Sequence, residues 1–345
     1  MNSSPLPKSN KTLPTGSRKT IRILPESLVK TGFLAEGHTL PFVITPAAPG
    51  IDLCMWAAGN RTFIEANLFD SGAILFRGFN IRTAPDFEQF IRLMSGELLE
   101  YRERSSPRRK VSGHVYTSTD YPSEQSIFPH NENSYSHTWP LKVYFFCERP
   151  ARQGGETPLV NTRKVYDRIH PEIRKRFIEK QCMYVRNFGG GMGLSWQTVF
   201  QTTDKTKVEQ YCRRAGIEYE WLGPNRLRTR HVRPAATRHP QTGELIWFNH
   251  ATFFHVSTLE ASVREAMLAG ISKDDLPNNT YYGDGSEIEL PTLDALRDAY
   301  SQEIVLFKWE RGDVLLVDNM LTAHARRPYV GERSVLVGMA ESYGE

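Results

Sequence analysis

Glu303-Ile-Val-Leu-Phe-Lys-Trp-Glu-Arg-Gly-Asp-Val-Leu-Leu-Val-Asp-Asn319 is followed, after Met320-Leu-Thr-Ala-His324, by Ser334-Val-Leu-Val-Gly-Met339. These residues decide the fold class. Glu303–Trp309, Val314–Val317 and Val335–Met339 are rich in β-branched and aromatic residues and read as strands. Arg311-Gly312-Asp313 supplies the turn between the first two. Strands at such short intervals predict a sandwich or barrel.

Upstream, Gly72–Gly78 reads as a buried strand closed by glycine, and Lys142–Cys147 as another strand. Helices come as insertions. Thr83-x-x-Asp86 with Pro85 opens one, and Phe87, Phe90, Ile91, Met94 and Leu98 give it an apolar face. Val165–Glu179 is helical with a restart at Pro171, and Leu259–Leu268 and Leu293–Tyr300 are shorter helices. Strands and helices do not alternate regularly, which disfavours a doubly wound parallel sheet. The expected class is mainly β with helical insertions.

Residues 1–20 hold Lys8, Lys11, Arg18 and Lys19, no acid and little apolar content, and are expected to be a disordered tail ahead of one domain over 21–345. Of the 43 Lys and Arg, the 39 outside this tail balance the 39 Asp and Glu, so no basic surface for nucleic acid is expected on the body. The charge run from Arg102 to Lys110 reads as a solvated loop. Cys54, Cys147, Cys182 and Cys212 form no C-x-x-C pair, no run approaches the ~18 apolar residues of a membrane span, and no secretory h-region is present, so a cytoplasmic protein is expected. Asn187–Gly193 lacks the Lys-Ser/Thr of a phosphate loop and reads as a flexible loop or lid.

Phe128-Pro129-His130-Asn131-Glu132 is the sharpest local feature. Pro129 favours extended backbone before it, and residues two apart on an extended segment share a face. His130 and Glu132 can therefore meet one metal ion while Asn131 points away. Imidazole and carboxylate suit iron(II), and a distant histidine would complete a facial triad with three adjacent positions open. His324 is the candidate, after the buried strand ending at Asp318-Asn319; His137, His250 and His255 remain competitors by spacing. Arg333, close behind His324, can pair with a carboxylate of a dicarboxylate such as 2-oxoglutarate.

From about Val43 to Ala340 the chain resembles the taurine dioxygenase/TfdA-like oxygenases of the clavaminate-synthase-like group, and within them the SyrP-like branch associated with amino-acid and peptide natural products. The resemblance is carried by Trp56-Ala57, Gly72–Phe79, Val115–Thr119, His130-Asn-Glu132, Phe145–Cys147, Gly154-Gly-Glu-Thr-Pro158, His239–Gly243, Trp247–Asn249, Tyr282–Gly285, Gly312–Asn319 and His324–Arg333.

It implies a double-stranded β-helix, or jelly roll, with iron(II) held by His130, Glu132 and His324. It implies 2-oxoglutarate as cosubstrate, contacted by Thr157 and Arg333, and O2 as oxidant. The implied reaction is hydroxylation, desaturation or cyclisation of an amino acid or amino-acid-derived intermediate, free or tethered to a carrier protein. Succinate and carbon dioxide are released. Three positions depart from the family's pattern: Ala325 where glycine follows the distal histidine, His250 where glutamine is expected, and Val337 where taurine-specific members place a second arginine. Glu132 retains the carboxylate that halogenating relatives replace, which favours oxygenation. A cupin-type metal enzyme not using 2-oxoglutarate, or a non-catalytic small-molecule-binding protein, would leave Thr157 and Arg333 without purpose. Oligomeric state and the oxidised carbon are not specified by these residues.

Overall fold

The computed structural model describes residues 28–101, 103, 108–118, 121–189, 191 and 193–344. The expected tail over 1–20 lies outside them.

Two facing sheets carry the fold. The larger has eight strands in the order Val29–Phe33, Phe42–Pro46, Ala73–Phe76, Val314–Asp318, Thr138–Arg149, Ser334–Gly344, Val115–Thr117 and Lys110–Ser112. The smaller runs Ile304–Val305, Leu159–Asn161, Thr322–Arg326, Ile127–His130. Among these ladders only Phe42–Pro46 with Ala73–Phe76 is parallel.

The unbroken apolar run Val314–Val317 follows from burial on both faces. Val314 and Leu316 join Phe87, Phe90 and Ile91 of the helix Ala84–Ser95 in one core. Leu315 and Val317 join Phe145, Val335, Val337 and, from the smaller sheet, Leu159 in the core between the sheets. The smaller sheet is likewise two-sided. Val160 and Ala323 pack against the insertions on its outer face.

The expected helices form. Thr83 and Asp86 exchange the capping-box bonds, with Thr83 N donating to Asp86 Oδ2 at 3.0 Å and Asp86 N to Thr83 Oγ1 at 3.3 Å. The 165–179 segment divides at Pro171 into Thr162–Arg168 and Pro171–Lys180. The strand expected over Glu303–Trp309 is shorter than its composition implies. Ile304 faces Val160 and Val305 faces Leu159, so the next rung would fall on Pro158. Proline has no N–H to give a ladder, and pairing stops there. Phe307 and Trp309 remain buried side chains on unpaired backbone.

A further antiparallel sheet, Glu218–Trp221, Leu227–Arg233, Cys182–Phe188 and Asn278–Tyr282, belongs to the long insertion between the Leu159–Asn161 and Ile304–Val305 strands. No helix among the described residues is long and apolar enough to cross a membrane.

Candidate metal centre

The smaller sheet sets two of the three donors. His324 stands opposite His130 in the ladder between Thr322–Arg326 and Ile127–His130. Their ring centroids are 4.6 Å apart. His324 faces inward because its neighbour Ala323 faces the insertion core.

The third donor arrives differently from the sequence expectation. The strand ends at His130, and Asn133 turns the chain with φ 57°. Glu132 therefore sits in a turn and is aimed by Asn319. Asn319 Oδ1 accepts from Glu132 N at 2.7 Å, while its Nδ2 donates to Glu132 O at 2.9 Å and Pro140 O at 2.8 Å. Asn131 does point away, and its Nδ2 donates to Asn319 O at 2.6 Å. Asp318 holds this corner by accepting from Met320 N and Leu321 N, each at 3.0 Å, and its other oxygen meets His239 Nε2 at 3.0 Å.

Donor atoms of His130, Glu132 and His324 all lie within 4.8 Å of one another. This is the set found among the described residues, and His137, His250 and His255 do not join it. His130 Nδ1 donates to Phe128 O at 2.9 Å, so its Nε2 keeps the lone pair a metal needs. His324 Nε2 stands 3.8 Å from Glu132 Oε2.

Burial drives the pKa of both histidines below the usual value, His324 strongly, so both imidazoles are neutral ligands at pH 7. Burial alone would raise the Glu132 pKa, but the charge of Arg108 and hydrogen bonds from Arg108 and Tyr101 outweigh it, and the carboxyl is lowered. Two neutral imidazoles that border a cavity and one buried carboxylate beside them fit an open ferrous site.

Arg108 and Glu103 depart from the reading of the run from Arg102 to Lys110 as a solvated loop; residues 102 and 104–107 lie outside the described residues. Arg108 Nη2 donates to Glu132 Oε2 at 2.8 Å, and both side chains are buried. Glu103 is buried too, with its carboxylate bonded by Ser136 Oγ. The neighbouring Arg109 is exposed, so nothing in the local sequence separates the two arginines.

A small cavity beside the donor triad is lined by Arg108, Ser118, Thr157, Ala325 and Arg333, together with His130 and His324. Thr157 Oγ1 accepts from Trp309 Nε1 at 3.0 Å, which fixes the hydroxyl. Arg333 Nε donates to Gly155 O at 3.0 Å and Nη1 to Ser118 Oγ at 3.3 Å. Burial pulls the Arg333 pKa down to about 10, with the Arg326 charge acting in the same direction. A guanidinium with no carboxylate partner among the described residues at this wall is what a dicarboxylate ligand would relieve. Arg326 serves another purpose. Its two Nη groups donate to the carbonyls of Tyr121, Pro122 and Gln125, clamping that loop.

A larger cavity of about 660 Å³ opens on the other side of His130. The two cavities share Arg108, Ile127 and His130. Phe253 stacks on the His130 ring at 4.6 Å and forms part of the larger wall. Arg186 also lines this cavity, whereas Trp196 and Arg233 are buried elsewhere. His250 lies behind the wall, 1% exposed, with Nδ1 bonded to Ser134 Oγ at 2.5 Å, so its role is packing. Val337 is wholly buried between the sheets and leaves no cation at that position.

The profile of the taurine catabolism dioxygenase TauD, TfdA family matches residues 41–340. The chain belongs to the TauD/TfdA dioxygenase family. It is accordingly an iron(II)- and 2-oxoglutarate-dependent dioxygenase on a double-stranded β-helix. The dapdiamide synthesis protein DdaC of Enterobacter agglomerans is 42% identical over 278 residues, covering 81% of this chain and 84% of DdaC. A clavaminate synthase-like protein of Arabidopsis thaliana is 29% identical over 324 residues, covering 89% of this chain and 95% of that protein. Among solved structures, PvcB of Pseudomonas aeruginosa superposes with TM-score 0.55 at 14% identity, covering 92% of this chain and 93% of PvcB. A taurine dioxygenase from Burkholderia xenovorans superposes with TM-score 0.53 at 18% identity, covering 91% of this chain and 89% of that one. For these two structures the likeness concerns the fold alone.

Proposed function

We propose that this TauD/TfdA dioxygenase holds iron(II) with His130, Glu132 and His324, and 2-oxoglutarate with Thr157 and Arg333. It acts on an amino-acid-derived small molecule of natural-product metabolism, as a single cytoplasmic domain over 21–345. The observation that carries the reading is one cavity bordered by His130 and His324 of the donor triad and by Thr157 and Arg333. The substrate class rests on DdaC, whose name places it in dapdiamide synthesis. A carrier-tethered substrate would reach the metal through the larger cavity, whose lining also includes His130.

Iron bound there, with 2-oxoglutarate and O2, supplies a two-electron oxidation of the substrate coupled to release of succinate and carbon dioxide. The chain's own residues position and exclude. Arg333, backed by Ser118 and Gly155, offers charge-assisted bonds to the far carboxylate of 2-oxoglutarate. Trp309 orients the Thr157 hydroxyl toward the same ligand. Phe253 against His130 and Phe145 against His324 place apolar faces beside the two imidazoles, which limits water at that side of the metal. Asn319 and Phe128 fix Glu132 and His130, so the donors need little reorganisation on loading.

The test is anaerobic titration of the apoprotein with iron(II) and then 2-oxoglutarate. A weak visible band near ~530 nm is expected from the chelate at an open metal site. Its absence from folded, iron-loaded protein would overturn this assignment.

A further inference from the structure

Arg108 occupies the wall shared by the two cavities, beside a residue of the donor triad. Its side chain is 4% exposed. Among the described residues only Nη2 is committed, to Glu132; Nε and Nη1 are buried with no hydrogen-bond partner there. The face of the guanidinium rests over the Tyr101 ring at 4.5 Å, which leaves its N–H edge directed outward from that ring.

Buried guanidinium groups are costly unless their donors and their charge are both answered. Glu132 cannot do both here, because the same carboxylate is the anionic member of the metal donor set. Its single charge is shared between the metal and Arg108, and the remaining N–H groups of Arg108 still need an acceptor.

The surroundings tell what that acceptor is. Arg186, also buried, lines the larger cavity with its guanidinium 5.0 Å from the ring centres of Tyr135 and Phe188. Glu260 is the one carboxylate among the described residues of that lining, and it is exposed. The cavity wall therefore carries two buried guanidinium groups, Arg108 and Arg186. The same wall also carries the apolar side chains of Phe254, Val256, Leu259, Val263 and Met267. A volume of about 660 Å³ suits a ligand larger than a free amino acid.

We propose that Arg108 is a substrate-specificity residue that binds a carboxylate of the substrate beside the metal, and that the substrate is an extended carboxylic acid whose apolar body lies along the 254–267 wall. This rests on the iron and 2-oxoglutarate reading above. A carboxylate could also come from 2-oxoglutarate itself, since Arg108 borders the smaller cavity too, and the experiment separates the two sources.

The probes are N-hexanoyl-L-alanine and its primary amide, which differ only in the acid group. Their dissociation constants are measured by calorimetry on anaerobic protein loaded with iron(II) and 2-oxoglutarate, with the visible chelate band showing that the site is assembled. Wild-type protein is expected to bind the acid roughly 10- to 100-fold more tightly than the amide, the range of a hydrogen bond to a charged group. Arg108→Gln is expected to bind the two alike while its 2-oxoglutarate affinity stays within about threefold of wild type. Arg108→Lys keeps a counter-charge for Glu132 and so protects folding, and an intermediate preference is expected of it. Equal binding of acid and amide by wild type, no binding of the acid, or a full acid preference in Arg108→Gln would each overturn the proposal. So would loss of 2-oxoglutarate affinity with acid preference intact, which would give the guanidinium to the cosubstrate. Absence of the chelate band in wild type would instead overturn the underlying iron and 2-oxoglutarate assignment.

Discussion

Asn319→Asp is nearly isosteric and tests whether Asn319 is the clamp that sets Glu132. The acceptor Oδ1 survives, so the bond from Glu132 N at 2.7 Å can persist. The donor Nδ2 becomes an oxygen, and it then faces the carbonyl oxygens of Glu132 at 2.9 Å and Pro140 at 2.8 Å. Asn319 is wholly buried, so water cannot replace those bonds. Two stranded acceptors at about 1–3 kcal/mol each give a destabilisation of about 2–6 kcal/mol. Ionisation of the introduced carboxyl adds to this. Protonated, it can donate one of the two missing bonds, so its folded pKa lies above the ~3.9 of an unfolded aspartate. For an acid with a raised folded pKa, the relative stability is greatest below the unfolded value and is lost as pH rises toward the folded one. The deficit against wild type should therefore grow with pH above about 4. Asn319→Ala carries no such group, and its deficit should be nearly flat. Urea unfolding of the three proteins at pH 5 and pH 8 measures this. If Asn319→Asp unfolds like wild type, or its deficit does not depend on pH while that of Asn319→Ala matches it, the clamp argument is wrong.

His324→Ala should abolish the visible chelate band and succinate release while far-ultraviolet circular dichroism stays close to wild type; normal turnover would sink the ligand assignment. Arg333→Leu should weaken 2-oxoglutarate binding roughly 10- to 100-fold, because a charge-assisted pair is lost, with iron(II) affinity little changed. An unaltered cosubstrate dissociation constant would remove Arg333 from that role.

Much of the fold is legible because hydrophobic period and turn residues agree locally. The Thr83–Asp86 box and the break at Pro171 are local signals and appear where expected. Trp309 shows the limit of this reasoning. Its segment looks like a strand by composition, yet the partner residue, Pro158, ends the ladder and frees the indole to meet Thr157. Such an outcome depends on which residues lie opposite, which no local window contains.

The candidate site divides the same way. His130 and Glu132 form a short motif, although Glu132 is set by a turn and by Asn319 rather than by strand alternation. Thr157 is proposed through the ordered family blocks, and Arg333 through its place close behind His324 as well as those blocks. No such signal marks Arg108, since nothing nearby distinguishes it from the exposed Arg109, and its burial depends on Glu132 across the chain. His250 shows the reverse, a departure in sequence that packing against Ser134 absorbs.

The pairing of His324 with His130 has a consequence for biogenesis. Asn131 and Asn319, which brace the same corner, are 188 residues apart in the chain. The Thr322–Arg326 strand lies between Leu159–Asn161 and Ile127–His130, so the smaller sheet cannot close until the C-terminal segment has been made and inserted. A shift of that strand by a single residue would turn His324 outward and Ala323 inward. With the proposed ligand set, metal capture would be withheld from nascent and misthreaded chains alike, and an iron-loaded molecule would be one whose Thr322–Arg326 strand has threaded in the correct register.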